Sequence, residues 1–358
     1  MSEKKLIIGI TQGDVNGTCY EIILKTLSES HIFELCTPII YGSSKVLGFY
    51  RKNMEIQLGN INVINNPASA INNQINVINC CSDDLKVEIG KSTSESGIAA
   101  IQALKKATED LKNNAIDILI TSPICKTNVS DKDFNFANQT EFVASQLGNK
   151  KDGLNILIND VLRVASVSDQ MPIKNLVESI STEKVLKKIK LLNKSLSEDF
   201  CIRKPRIAVL SLNPGINENG FGEEEKNIIL PAIKSAESEG ILAFGPYAAD
   251  SFFGNSSYKK FDAVLAMYHD QGVAPFKTLC SDNGIQYTAG LSHILTAPIN
   301  GVDFELAGEN QANEESFRNA IYLAYDITNN QEFYNEINQN PLKTTYEEPR
   351  QNGRNQIE

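Results

Sequence analysis

Five apolar residues in a row, Ala263-Val264-Leu265-Ala266-Met267, are followed without a spacer by Tyr268, His269, Asp270 and Gln271. A run of that length and composition fits a strand buried on both faces, which is the condition of a parallel sheet covered by helices. Similar short runs stand at Leu6–Ile10, Thr37–Tyr41, Ile116–Ile120 and Arg206–Leu212, with helical patterns between them. Strands alternating with helices point to the α/β class, in which ligands collect at the carboxyl ends of the strands. Polar groups placed directly after such a run are therefore candidates for function.

Two readings of His269 and Asp270 stay open at this stage. His269 can simply cap a strand while Asp270 opens a turn, with Gly272 ending the run. Alternatively the pair carries chemistry, together with Lys277 five residues beyond Gly272. Scarcity favours the second reading. Only three histidines are present, and neither His31 nor His293 has an acidic neighbour directly beside it.

Composition excludes some classes of function. A net charge of -10 argues against a general nucleic-acid surface. No apolar run approaches the ~20 residues needed to cross a bilayer, and Met1–Lys5 leads straight into a short strand instead of a signal segment. Seven cysteines are scattered without a C-x-x-C pair, so reduced thiols and a cytoplasmic setting are expected.

Along the chain, Thr11–Gly17 forms a glycine-bearing turn before a helix at Tyr20–Leu27. It lacks the G-x-G-x-x-G spacing, so it is either an anion-binding loop or only a tight turn. Ser43–Lys52 is expected to be helical. Residues 55–90 contain strand-like pieces that pattern alone does not order. Ser94–Asn113 carries a helical stripe of Ile98, Ile101, Leu104, Ala107 and Leu111. Lys126, just past the strand Ile116–Ile120, is either a substrate contact or a solvated loop lysine. Thr140 is expected to cap a helix reaching Leu147. Leu154–Ile158 and Val161–Val167 should form a hairpin, and Ser181–Leu196 a helix whose lysines face solvent. Glu223–Glu225 open a further helix and suit its dipole. Glu314–Thr328 is the last predicted helix, and from about Asn338 a mobile tail is expected.

Taken together, ITQGDVNGTCYE, TSPICK, the start Gln139-Thr140-Glu141, LNP at 212–214, GPYAAD, AMYHDQGVAPFK and GVDFELAG resemble the 4-hydroxythreonine-4-phosphate dehydrogenase family of vitamin B6 synthesis. The resemblance runs in order from about Leu6 to Ile327. It implies a two-lobed α/β fold like isocitrate and isopropylmalate dehydrogenases, with a cleft between the lobes. The first lobe would be 1–128 plus about 285–337, and the second, with the dimer surface, 129–284. It also implies a homodimer acting on a phosphorylated hydroxy amino acid. Oxidation would use NAD or NADP, and metal-assisted decarboxylation would follow, as a step in pyridoxal phosphate synthesis.

Carried over residue by residue, the resemblance makes His269, Asp270 and Lys277 the catalytic candidates. Gln139, Thr140 and Lys277 would meet the substrate, and Asn300, Gly301 and Asp303 the cofactor. The family's other metal-binding histidines fall on Gln170 and Gly215, which are not ligands. Gln139 also stands where a histidine is expected, Leu295 where a phosphate-binding arginine is, and an asparagine contact falls near Gln286. A three-nitrogen metal site cannot assemble from these residues, which leaves His269, Asp250 and Asp270 as the candidates for a divalent ion. Two functions follow: a dehydrogenase with most metal and phosphate ligands replaced, or a catalytically impaired homologue serving as a binding or dimer-partner subunit.

Overall fold

The computed structural model describes residues 5–82, 84–129, 134–148, 153–168, 170–215, 220–280 and 282–340. Its strands are β1 (Leu6–Thr11), β2 (Cys36–Gly42), β3 (Ile61–Ile64), β4 (Ile75–Asn79), β5 (Ile118–Ile120), β6 (Leu154–Ile158), β7 (Arg163–Ser166), β8 (Arg206–Leu210), β9 (Leu242–Tyr247), β10 (Ala263–Ala266), β11 (Ile285–Ala289) and β12 (Ile294–Pro298). All belong to one sheet, in the order β3-β4-β2-β1-β5-β12-β11-β6-β7-β10-β8-β9. The run from β3 to β12 is parallel, and so is the run from β7 to β9. Between them β11 and β6 pair antiparallel with each other and with their outer neighbours.

The parallel runs and the antiparallel centre of the sheet differ as burial demands. β2 is buried at every position and β10 likewise, matching the unbroken apolar runs that a sheet covered by helices requires. β6 instead alternates: Leu154, Ile156 and Ile158 enter the main core, while Asn155 and Leu157 stay half-buried on the other face. The predicted hairpin is present, with Leu157 opposite Val164. Residues 61–79, which sequence pattern left unordered, supply the edge strand β3 and its neighbour β4.

Helix starts follow their caps. Ser43, Thr93 and Ser181 each accept a backbone N–H three residues on. In the helix Gln139–Gln146 the cap is Asn138, not Thr140: Asn138 Oδ1 accepts from Glu141 N at 2.9 Å, and Glu141 reaches back to Ala137 N. Thr140 is one residue inside the helix and free for another contact. On Ser94–Lys112, Ile101, Leu104, Ala107 and Leu111 are buried as expected, but Ile98 is 40% exposed and Gly97 and Ala100 hold the inner face. Lys188, on the predicted solvated face of Thr182–Glu198, is buried and donates to the carbonyl of Gly153. The last helix runs Glu315–Asn338, longer than predicted. Most of the expected mobile tail lies outside the described residues. All seven cysteines are free thiols, and no helix among the described residues is long and apolar enough to cross a membrane.

Candidate active site

A cleft of about 440 Å³ opens over the stretch of sheet where strand directions alternate. Strand register builds its floor. Ala297 lies beside Gln286, Gln286 beside Leu157, and Leu157 beside Val164, one row across β12, β11, β6 and β7. All four line the cleft. The walls come from the segments after β5 (Pro123, Ile124, Lys126), after β7 (Ser168, Gln170) and after β12 (Ile299–Val302), and from the starts of two helices.

The organising stretch forms one of those helices, His269–Leu279, with Tyr268 as its extended N-cap. Gly272 does not end the run. It sits inside the helix, where an added Cβ would stand 2.6 Å from Val164 Cγ1, so glycine lets the helix press onto β7. Gln271 pins the helix start by accepting from Met267 N at 2.8 Å and donating to the Ser211 carbonyl at 2.6 Å. His269, Val273 and Lys277 are spaced four apart, share one helix face and all line the cleft. The spacing from His269 to Lys277 is thus two helical turns, not a loop.

His269 is held on both sides. Its Nδ1 lies 2.7 Å from Asp270 Oδ1 and its Nε2 lies 3.2 Å from the amide nitrogen of Gln170. With Nδ1–H donating to the carboxylate, the Nε2 lone pair accepts the Gln170 amide N–H. Asp270 is 80% exposed, so this pair orients the ring more than it stabilises the fold. Gln139 donates to the Ser122 carbonyl at 3.0 Å, and Thr140 Oγ1 accepts from Gln286 Nε2 at 3.1 Å. Asn300 and Gly301 also line the cleft. Among the described residues, buried Gln139 Oε1 and Asn300 Oδ1 have no hydrogen-bond partner, and such unpaired acceptors are costly unless a ligand satisfies them.

Other predicted residues are not brought there. Asp303 has a φ of 47° and accepts from Leu306 N, closing a turn outside the cleft lining. Asp250 stands in the first turn of the short helix Ala249–Gly254, its Oδ1 accepting from the neighbouring Ser251 N, and also lies outside the lining. Leu295 is buried in an apolar cluster with Leu119 and Phe142. Among the described residues no three His, Cys, Asp or Glu side chains gather as a metal centre, so His269, Asp250 and Asp270 do not form one. Gly215 has no side chain to offer, and Gln170 directs an N–H at the one imidazole lone pair available. The described residues therefore do not fit a divalent ion.

Sequence reading missed two features. Asn155, Ser166 and Ser168 line the cleft, and the alternation of β6 was the available signal for the first. Glu225 is wholly buried and accepts from Leu212 N, Asn213 N and Asn213 Nδ2 at 2.9, 2.9 and 3.0 Å, holding the loop after β8. Burial pushes its carboxyl up, but the Asn213 side chain and the backbone N–H groups outweigh this and hold it below the usual carboxylate range. A glutamate run gives no hint that one member turns inward.

The chain has the isocitrate/isopropylmalate dehydrogenase-like α/β fold. It superposes on a 4-hydroxythreonine-4-phosphate dehydrogenase from Klebsiella pneumoniae with a TM-score of 0.75 at 28% identity, covering 91% of this chain and 99% of that one. Against the enzyme of that name from Burkholderia phymatum the TM-score is 0.71 at 30% identity, covering 91% and 99%. A relative named 4-hydroxythreonine-4-phosphate dehydrogenase from Bacteroides thetaiotaomicron is 44% identical over 351 residues, 98% of this chain and 96% of that protein. The model of the family described as pyridoxal phosphate biosynthetic protein PdxA matches residues 34–324, and the chain belongs to that family.

Proposed function

We propose that the chain is a nicotinamide-dependent dehydrogenase that oxidises a phosphorylated hydroxy amino acid of the 4-hydroxythreonine 4-phosphate type, with decarboxylation to follow, in pyridoxal phosphate synthesis. Family membership supports the class, and one observation carries the site: a single cleft gathers Gln139, Thr140, His269, Lys277, Asn300 and Gly301 from segments far apart in sequence. Asn300 and Gly301 would hold the nicotinamide nucleotide, NAD or NADP, which supplies a hydride acceptor when bound. The unpaired Asn300 Oδ1 is a fitting acceptor for an amide N–H.

Around it, His269 Nε2 takes the proton of the substrate alcohol once the Gln170 amide moves aside, and Asp270 stabilises the resulting imidazolium. Lys277 holds the phosphate as a point charge. Thr140, already fixed by Gln286, and Gln139 position the carbon chain. The metal and phosphate ligands usual in the family are replaced here by Gln170, Gly215 and Leu295, so no step is assigned to a metal. The lobes 1–128 with about 285–337, and 129–284, would bound the cleft, and the working form would be a cytoplasmic homodimer.

Purified chain mixed with 4-phosphohydroxythreonine and NAD or NADP should raise absorbance at the reduced-nicotinamide band, with a chelator leaving the rate unchanged. No reduction of either nucleotide would defeat the reading. A rate abolished by chelator and restored by a divalent ion would defeat its metal-free part.

A further inference from the structure

Cys80 and Cys81 are neighbours, and no other two cysteines in the sequence are. They follow β4 directly and lie outside the cleft lining. Cys80 N donates to the Gly42 carbonyl at 2.9 Å, which fixes the first of them against the end of β2. Gln12 Nε2 donates to Cys81 Sγ at 2.9 Å, so a buried amide N–H is aimed at the second sulfur. The Cys80 thiol adds another donor to that same sulfur.

These donors give the two thiols different characters. The Cys80 thiol and the Gln12 amide hold Cys81 below the ordinary thiol range, against the opposing effect of burial. Cys80 keeps the shared proton, is desolvated as well, and is pushed up. A sulfur disposed to react thus stands beside one that can only resolve the product. Both residues are half-buried, whereas Cys19, Cys36 and Cys280 are buried, and Cys125 and Cys201 have no cysteine next to them in sequence.

Gln12 connects the pair to the rest of the molecule. It is wholly buried, its Nε2 directed at Cys81 Sγ and, at 3.4 Å, at the Ala99 carbonyl, while its Oε1 accepts from the Tyr20 hydroxyl at 2.8 Å. It belongs to the turn in which Asp14 N donates to Pro123 O and Thr18 N to Val302 O, and Pro123 and Val302 wall the cleft. A disulfide sulfur is uncharged and a poor acceptor, so oxidation would leave a buried amide hydrogen without a good partner.

We infer that Cys80 and Cys81 are a peroxide-sensitive modification site, Cys81 reacting first and Cys80 closing a vicinal disulfide that loosens the turn at Gln12. The Cys81 thiolate attacks one oxygen of hydrogen peroxide: an S–O bond forms, the O–O bond breaks, and the departing hydroxide takes up the proton that Cys81 released. Cys80 Sγ then attacks Cys81 Sγ: the S–S bond forms, the S–O bond breaks, and the second hydroxide leaves as water with the Cys80 proton. The two sulfurs together lose two electrons, and peroxide is reduced to two waters. Neighbouring Cα atoms stand ~3.8 Å apart, short of the ~4.4–6.8 Å that disulfides usually span, so the ring is strained and a dithiol reductant reopens it. None of this depends on which substrate the cleft accepts.

The test treats the full chain with hydrogen peroxide, digests it without reductant and maps the peptides by mass. The peptide carrying both cysteines should lose the mass of two hydrogens, and dithiothreitol should restore it. In Cys80→Ser the resolving thiol is gone, so dimedone should trap a sulfenic acid on Cys81. In Cys81→Ser, dimedone should label Cys80 about tenfold more slowly or not at all. Oxidised wild type should melt about 2–4 °C below the reduced chain, the scale of one lost hydrogen bond, while Cys81→Ser treated alike should show no shift. A pair that keeps both thiols under peroxide would overturn the inference. So would labelling of Cys80 in Cys81→Ser as fast as that of Cys81 in Cys80→Ser, or an oxidised chain that melts no lower than the reduced one.

Discussion

Two strand-end turns in this chain use nearly the same residues and do opposite things. After β1 come Gln12, Gly13 and Asp14; after β10 come His269, Asp270, Gln271 and Gly272. In the first turn every residue from Thr11 to Thr18 is buried. Its N–H groups are largely spent: Gln12 N donates to Tyr41 O, Asp14 N to Pro123 O, Asn16 N to Asp14 Oδ1, Gly17 N to Asp14 O and Thr18 N to Val302 O. With five of these N–H groups spent on the fold itself, the turn serves the scaffold, in keeping with the tight-turn reading. The turn clamps the segments after β5 and β12 that wall the cleft. In the second turn the glycine and glutamine also face inward, but the imidazole and Lys277 face the cleft. Residue type alone does not separate a scaffold turn from a working one; satisfaction of polar groups does.

The sharpest way to break this contrast is to remove the working group. His269→Ala should lower kcat about 10²–10⁴-fold, the range for a general acid–base residue, while the denaturant midpoint stays nearly unchanged because the ring is 35% exposed. A matching fall in stability would place His269 with the scaffold. Conversely, Gly17→Ala should act through the fold, since its Cβ would lie 2.3 Å from Val302 O, a backbone atom that cannot simply rotate away. We expect a loss of about 3 kcal/mol in unfolding free energy, read from denaturant melts.

Smaller effects sharpen the comparison further. Glu225→Gln should cost about 1–3 kcal/mol, because one carboxylate serves three N–H donors. Its carboxyl is held below its unfolded value, so the stability it contributes is full above the ordinary carboxylate range and is lost as pH falls through the lowered folded value. Melting curves of wild type and variant should therefore converge at acid pH; a constant gap would show that the charge is not what matters. Smallest of all, Thr140→Val should raise KM several-fold with kcat little altered, since it removes one hydrogen bond worth about 1 kcal/mol and leaves Gln286 Nε2 without its acceptor. A kcat effect of the size seen at His269 would move Thr140 into the proton-transfer machinery.

Much was legible from local pattern. The unbroken runs at β1, β2 and β10 identified buried strands because a covered sheet tolerates no alternation. Ser43 and Ser181 stood at predicted helix starts, and each caps its helix because a cap acts only on the next turn of its own chain. Such signals are local, and local physics decides them. The stretch AMYHDQG pointed to the cleft for the same reason: a strand end followed by imidazole and carboxylate is readable without neighbours.

The rest depended on partners distant in sequence. Asp250 and Asp303 looked like site residues, yet Asp250 bonds its neighbour in the first turn of a short helix and Asp303 closes a turn of its own, whereas Asn155 and Ser166 reach the cleft only because a hairpin is set beside β11. That Gln170 meets the His269 lone pair and that Glu225 turns inward follow from packing and register. By itself the sequence determined which segments become strands and helices, since their periods and caps are properties of neighbouring residues. Only the tertiary structure decided which polar atoms find partners and which are left for a ligand, because satisfaction of a buried group is a relation across the sheet that no single stretch contains.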